Sequence, residues 1–335
     1  MSDSKLHLFA LVIGTGTNLE GDISPSFKSC INDAEWLAEL LQDPSVCGYP
    51  KENVKVLLGE NATRVNIIEK LDEIKEKVLE LEDDEVKKCT VVFFFSGHGA
   101  KEGEKTYLIP YGCNTPSKND AISGDMLFEK FKAMDSGRVL LLLNACYSGA
   151  VMPRLGDDDQ ETSKAATPFT KIQVNKLLSG KGFAYLSASQ PSQASLTGYL
   201  SKQTKKRYSP FTIGLARGFA GLSKKNYYDN LVYIADLQTN CVAYVSRKTK
   251  GKQIPHFDYK GDNFAVGYFK PGASDRYPLL GEDVEFDIEP EDVQNPETTP
   301  NFVQTTKNIG TARNIRLNNV TIGGNYISGV GSYTK

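Results

Sequence analysis

Apolar residues in this chain occur in two spacings. Uninterrupted runs, "HLFALVIG" from His7, "VVFFF" from Val91 and "VLLLL" from Val139, have no helical period and suit strands of a parallel sheet covered on both faces. Between them the period changes. Ala34, Leu37, Ala38, Leu40 and Leu41 make one helical apolar face in "CINDAEWLAELLQD", and Ile67, Ile68, Leu71, Ile74, Val78 and Leu81 make another. "NVKVLLGENAT" reads as a second strand and turn, "KTYLIPYG" as a short strand, "SGDMLFEKFKAM" as a helix and "GFAYLSASQ" as a further strand. "FTIGLARGFAG" is a helix and "KQIPHFDYKGDNFAVGYF" a last strand-bearing segment. Strands alternating with helices predict a mainly parallel sheet flanked by helices, an α/β/α sandwich.

Two stretches break the order. Residues 156–167, "GDDDQETSKAAT", have an acidic centre and no apolar period, as a surface loop would. They divide a domain over residues 1–272 into a part of about 1–155 and a part of about 168–272. After Pro271 the chain turns acidic and rich in Pro and Thr, which marks 273–307 as a linker and leaves 308–335 as a flexible tail.

Composition narrows the function. Lys and Arg number 39 against 41 Asp and Glu, so the chain carries no overall positive field for nucleic acid. No apolar run approaches membrane-spanning length and the amino end lacks a signal-peptide pattern, so a cytoplasmic protein is expected. Six cysteines lie scattered without CxxC pairs, which argues against a structural zinc site and a disulfide scaffold.

The chemistry gathers where two apolar runs stop. Val139 to Leu143 leads into Asn144-Ala145-Cys146, and ligands and catalytic groups of open α/β sheets collect beyond the carboxyl ends of strands. Most cysteines simply pack, but a partner stands at the mouth of another run, where Ser96-Gly97-His98-Gly99 follows Phe95. Cys146 is therefore the candidate nucleophile and His98 the candidate base. A rival reading starts from Gly14 and Gly16 after the first strand, but a dinucleotide fingerprint needs glycine where Leu19 stands.

Together "FFFSGHGA", "LLLLNACYSGA" and "CINDAEWLAELL" make the chain from about Leu6 to Phe269 resemble the caspase and metacaspase superfamily, with the S-G-H-G and C-x-S-G forms closer to metacaspases. His98 lies about fifty residues upstream of Cys146, as in the caspase signature. The resemblance implies the caspase–haemoglobinase fold and a cysteine endopeptidase with a His98–Cys146 dyad. It implies an oxyanion hole from the backbone N–H groups of Gly99 and Cys146. Metacaspases cut after Arg or Lys with two carboxylates in the first specificity pocket; Asp33 matches one of them, Cys30 and Ser96 line it, and Asn144 stands where the second would be. Read without the family, Asp33 is an exposed acid near the first turn of a helix. Arg154, Lys164 and Lys171 are the expected self-cleavage points. No cofactor is required; calcium is known among such enzymes, but Asp120, Asp125, Asp157, Asp158 and Asp159 form no spaced motif.

A protein substrate in cell-death, stress or defence signalling is the partner that the family implies. The alternative is a caspase-like scaffold whose dyad goes unused. In the tail, Ile315, Leu317, Val320, Ile322 and Ile327 are spaced by Asn, Gly and Thr, a composition suited to cross-β stacking. Residues Val320 to Tyr326, "VTIGGNY", resemble the V-Q-I-G core of RIP-homotypic and related amyloid signalling motifs, with Thr321 in place of Gln. This implies an upstream partner bearing a similar motif.

Overall fold

A computed structural model of the chain describes residues 6–16, 28–102, 105–113, 120–134, 136–146, 182–188, 198–222, 229–260, 262–281, 321–322 and 325–326. Its strands are β1 (His7–Gly14), β2 (Val54–Leu58), β3 (Cys89–Glu102), β4 (Lys105–Leu108), β5 (Ile122–Ser123), β6 (Arg138–Cys146) and β7 (Gly182–Ser187). Next, β8 (Tyr199–Leu200) and β9 (Arg207–Tyr208) form a hairpin, β10 (Leu231–Tyr233) pairs with β12 (Ala265–Tyr268), and β11 (His256–Lys260) returns to the main sheet. In the tail, β13 (Thr321–Ile322) pairs antiparallel with β14 (Asn325–Tyr326). Five helices of ten residues or more are described: α1 (Lys28–Gln42), α2 (Arg64–Leu79), α3 (Gly124–Met134), α4 (Pro210–Phe219) and α5 (Ile234–Lys248).

The main sheet runs in the order β11-β7-β6-β3-β1-β2. All neighbours are parallel except β11, which runs against β7 at the edge. Its two faces explain the unbroken apolar runs. Leu8, Ala10 and Val12 of β1, Val92 and Phe94 of β3, and Leu140 and Leu142 of β6 pack under α1, α4 and α5. The alternate residues Phe9, Leu11, Ile13, Phe93, Phe95, Leu141 and Leu143 pack under α2 and α3. Side chains alternate across a strand, so a strand covered on both sides must be apolar at every position.

Local chemistry sets the helix ends. Thr63 caps α2 by accepting from the Asn66 N–H, and Ser209 caps α4 by accepting from the Thr212 N–H, with Pro210 in the first turn where a missing N–H costs nothing. Helix α5 is not among the elements expected above. Its buried positions Ile234, Leu237, Cys241, Tyr244 and Val245 do have helical spacing.

Two expectations change on contact with the fold. Strand β3 does not end at Ser96. It continues through His98 to Glu102, because β1 stops opposite Ser96 and β4 takes over as the neighbour, from Gly99 opposite Leu108 onward. The stretch beyond Pro271 also begins with packed structure: Arg276 and Tyr277 bind the Asp43 carboxylate at 2.7 and 2.6 Å, and Leu279 and Leu280 are buried. Residues 273–281 thus pack on the domain.

Gly14, the last residue of β1, has a packing explanation. A Cβ on Gly14 would lie 2.5 Å from the Cys30 carbonyl oxygen and 2.9 Å from the Ala34 Cβ, so α1 seats on β1 only over glycine. Gly14→Ala is therefore expected to destabilise the protein by about 1–3 kcal/mol, since backbone must shift to admit the methyl. Gly281→Ala, where a Cβ meets nothing within 4 Å, should stay within about 0.5 kcal/mol of wild type. Urea unfolding of the two variants checks this; equal midpoints would contradict the close seating of α1.

Candidate active site

Parallel pairing of β3 with β6 sets the site. The register puts Ser96 opposite Asn144, Gly97 opposite Ala145 and His98 opposite Cys146, the last residue of β6. The two sequence candidates for base and nucleophile thus occupy adjacent strands at one level, beyond the carboxyl ends of the apolar runs. His98 is half-buried. Its carbonyl oxygen accepts from the Ile109 N–H at 3.0 Å, so the next pair, Gly99 with Leu108, is a non-hydrogen-bonded one. Backbone groups alternate sides along a strand, and the Gly99 N–H therefore points away from β4, toward the side on which β6 ends.

Gly97 is small for a reason other than ligand approach. A Cβ there would come within 2.3 Å of the Thr15 Oγ1 and 3.0 Å of the Phe95 ring. The turn after β1 thus presses on β3 next to His98, and the Thr15 N–H donates to the Ser96 carbonyl at 3.0 Å.

Two residues before His98 and Cys146, on the face that α1 covers, lies a buried polar cluster. Asp33 on α1 and Ser96 on β3 have no exposed surface and Asn144 on β6 is 7% exposed. The Asp33 carboxylate accepts from the Ser209 backbone N–H at 2.9 Å through Oδ1, and from Asn144 Nδ2 at 3.1 Å and Ser96 Oγ at 3.4 Å through Oδ2. Asn144 Nδ2 also reaches Ser96 Oγ at 3.0 Å and Ser209 Oγ at 3.1 Å, while its Oδ1 is buried without a hydrogen-bond partner among the described residues. Cys30 is buried one turn before Asp33.

Every donor to Asp33 is neutral, and electrostatics follow from that. Burial pushes the Asp33 carboxyl up to about 7, against the opposing pull of the Ser209, Thr212 and Ser96 hydrogen bonds. Burial and then the nearby Asp33 charge push the Cys30 thiol up to about 12, which keeps it protonated. Cys47, Cys89, Cys113 and Cys241 are likewise buried thiols, pushed up by burial. None of these five suits a nucleophile, whose reactive form is the thiolate.

The exposed-acid reading of Asp33 is thereby corrected: the carboxylate is buried, because α1 turns its Cys30–Asp33 edge onto the sheet. The structure brings Asp33, Cys30, Ser96 and Asn144 together, and adds two residues that the sequence did not single out, Ser209 and Thr212. "YSPFT" does carry a cap-and-proline helix start, yet nothing local says that this start faces a residue 176 positions earlier. The hairpin before it is fastened to α1 by Asn32 Nδ2 on the Arg207 carbonyl at 3.0 Å, by a Lys206–Glu35 pair at 2.6 Å and by Trp36 against the Tyr208 ring at 5.2 Å. Arg154, Lys164, Lys171 and Asp157 to Asp159 lie outside the described residues. Among the described residues no three His, Cys, Asp or Glu side chains gather as a metal site, and no helix is long and apolar enough to cross a membrane.

The crystal structure of protein GSU0716 from Geobacter sulfurreducens superposes with a TM-score of 0.51 at 17% identity, covering 79% of this chain and 100% of that one, a likeness of fold. No curated protein matches the chain. The caspase domain of peptidase family C14 matches residues 7–261. That span runs from the start of β1 past the end of β11 and contains Asp33, His98, Asn144 and Cys146, and the chain belongs to the caspase-domain peptidase family.

Proposed function

We propose that the chain is a cysteine endopeptidase that uses a His98–Cys146 dyad to cut proteins after a basic residue. The observation that carries this reading is the register of β3 on β6, which sets His98 opposite Cys146 just beyond two buried apolar runs. In the proposed reaction the imidazole takes the thiol proton and the Cys146 sulfur attacks the scissile carbonyl carbon. The C=O electron pair moves to oxygen, and the backbone N–H groups of Gly99 and Cys146 hold that oxyanion. Collapse breaks the C–N bond, and the imidazolium returns its proton to the leaving amine. Water, deprotonated by His98, then hydrolyses the thioester and restores the thiol.

Specificity in this reading comes from Asp33, with Cys30, Ser96 and Asn144 around it. A buried carboxylate held only by neutral donors lacks a counter-charge, and a substrate cation supplies one. Residues Arg154, Lys164 and Lys171 are then the points where the chain would cut itself during activation. The tail, 308–335, would gather peptidase domains on an upstream signalling partner that carries a similar amyloid motif, in a cell-death, stress or defence pathway of the cytoplasm. The β-favouring composition of the tail and the β13–β14 pairing support that part.

Three outcomes test the proposal. Cys146→Ala and His98→Ala should each lower kcat/KM for Arg- or Lys-terminated fluorogenic peptides by about 10³-fold or more, with unfolding midpoints unchanged, since a dyad fails as a unit. Turnover that survives either change would remove the assignment. Mass spectrometry of wild type should find cleavage after Arg154, Lys164 or Lys171 that is missing in Cys146→Ala; intact wild-type mass in an active sample would rule out self-cleavage. A peptide of residues 308–335 should form thioflavin-positive fibrils that Ile322→Asp prevents, and a tail that stays monomeric at high concentration would have no templating role.

A further inference from the structure

The buried cluster holds one feature that a basic-residue pocket does not by itself require. Asn144 turns its amide nitrogen on Asp33, and the opposite end of the same carboxamide, Oδ1, is a buried acceptor without a partner among the described residues. Such an orphan acceptor costs free energy in the resting protein and is retained where something else is to fill it. It sits beside the one buried carboxylate of the site. A group that bonded both would have to bring several hydrogen-bond donors and a positive charge.

We propose that Asn144 determines the selectivity of this pocket, holding Asp33 through Nδ2 and offering Oδ1 as a neutral second acceptor, so that the site selects guanidinium over ammonium. The inference rests on the peptidase reading above and names its substrate class as Arg-terminated rather than Lys-terminated. A guanidinium spreads its charge over a planar fork of five N–H donors and is weakly hydrated, so it can bond one carboxylate and separate neutral oxygens together. An ammonium is a compact, strongly hydrated charge. It needs concentrated negative charge to leave water, and beside Asp33 it would find only the neutral carboxamide of Asn144.

Proton linkage gives the proposal a second observable. The described groups that face Asp33 are Cys30 on its own helix, Ser96, Asn144, Ser209, Thr212 and Tyr208, and none of them is a cation. With the carboxyl raised to about 7 by burial, the resting pocket is half neutral at that pH and ionised above it. A bound guanidinium favours the ionised form, so its capture releases a proton below that pH. Binding weakens as the pH falls.

The experiment compares peptides that differ only in the terminal side chain, Arg, Lys or citrulline, the last an uncharged isostere of Arg. The wild type should favour Arg over Lys by about tenfold or more in kcat/KM, and Asn144→Asp should bring the two within about threefold by adding a second negative charge. Because both substrates share the dyad, the Arg-to-citrulline ratio cancels its titration; this ratio should drop by up to about tenfold per pH unit below 7 and level off above. Calorimetry on Cys146→Ala with n-butylguanidinium and n-butylammonium reads the same preference without turnover. An Arg-to-Lys ratio equal in wild type and Asn144→Asp, with Arg peptides still cut, would overturn the role of Asn144 and leave the peptidase reading standing. Rapid cleavage of citrulline peptides with no gain for Arg or Lys at any pH would overturn the cationic pocket itself.

Discussion

A single carboxylate without a counter-charge organises the functional end of this fold. Asp33 has no exposed surface, and a buried carboxylate must either find donors or take up a proton. It draws donors from three separate elements: Ser96 on β3, Asn144 on β6 and the Ser209 N–H before α4. Those three bonds fix α1 and the first turn of α4 over β3 and β6, two residues before His98 and Cys146. Because its carboxyl is raised to about 7, ionising it in place opposes folding. Its contribution to stability is complete below the ordinary carboxylate value of 3.8 and is lost as the pH rises through about 7. A positive charge brought by a ligand would offset that cost.

The sheet supplies the rigid side of this arrangement. With both faces of β1, β3 and β6 buried, a slip of one residue would exchange the two apolar sets and drive Ser96 and Asn144 into the layer under α2 and α3. The register that pairs His98 with Cys146 is thereby fixed by packing well away from the site. Beyond Ser96 the sheet changes partner, and β4 holds β3 straight through His98 and Gly99. The site sits on continuous strand at the histidine, where a loop had been the simpler expectation.

How much of this could be read in advance depends on whether the signal was local. The runs at Val91 and Val139 and the helical faces of α1 and α2 were legible, because two-sided and one-sided burial leave different periods in the sequence. Helix α5 was just as periodic around Leu237, Cys241 and Tyr244, but its apolar positions are diluted by Gln, Thr, Asn and Ser between them. Gly14 pointed to a nucleotide loop, whereas it makes room for Cys30 and Ala34, and Gly97 makes room for Thr15. Contacts of that kind join distant segments and leave no spacing to detect.

By itself the sequence determined the alternation of strands and helices, the position of Cys146 and His98 at the ends of apolar runs, and the candidacy of Asp33, Cys30, Ser96 and Asn144. The first two follow from side-chain periodicity and from residue types that carry chemistry, and the candidacy of those four from the resemblance to metacaspases. Only the tertiary structure decided that Asp33 is buried rather than solvated, that Ser209 and Thr212 close over it, and that Asn144 spends its nitrogen on the carboxylate and leaves its oxygen unpartnered among the described residues. The reason is physical: burial and hydrogen-bond partnership belong to pairs of residues, and here the pairs lie 111 and 176 positions apart along the chain.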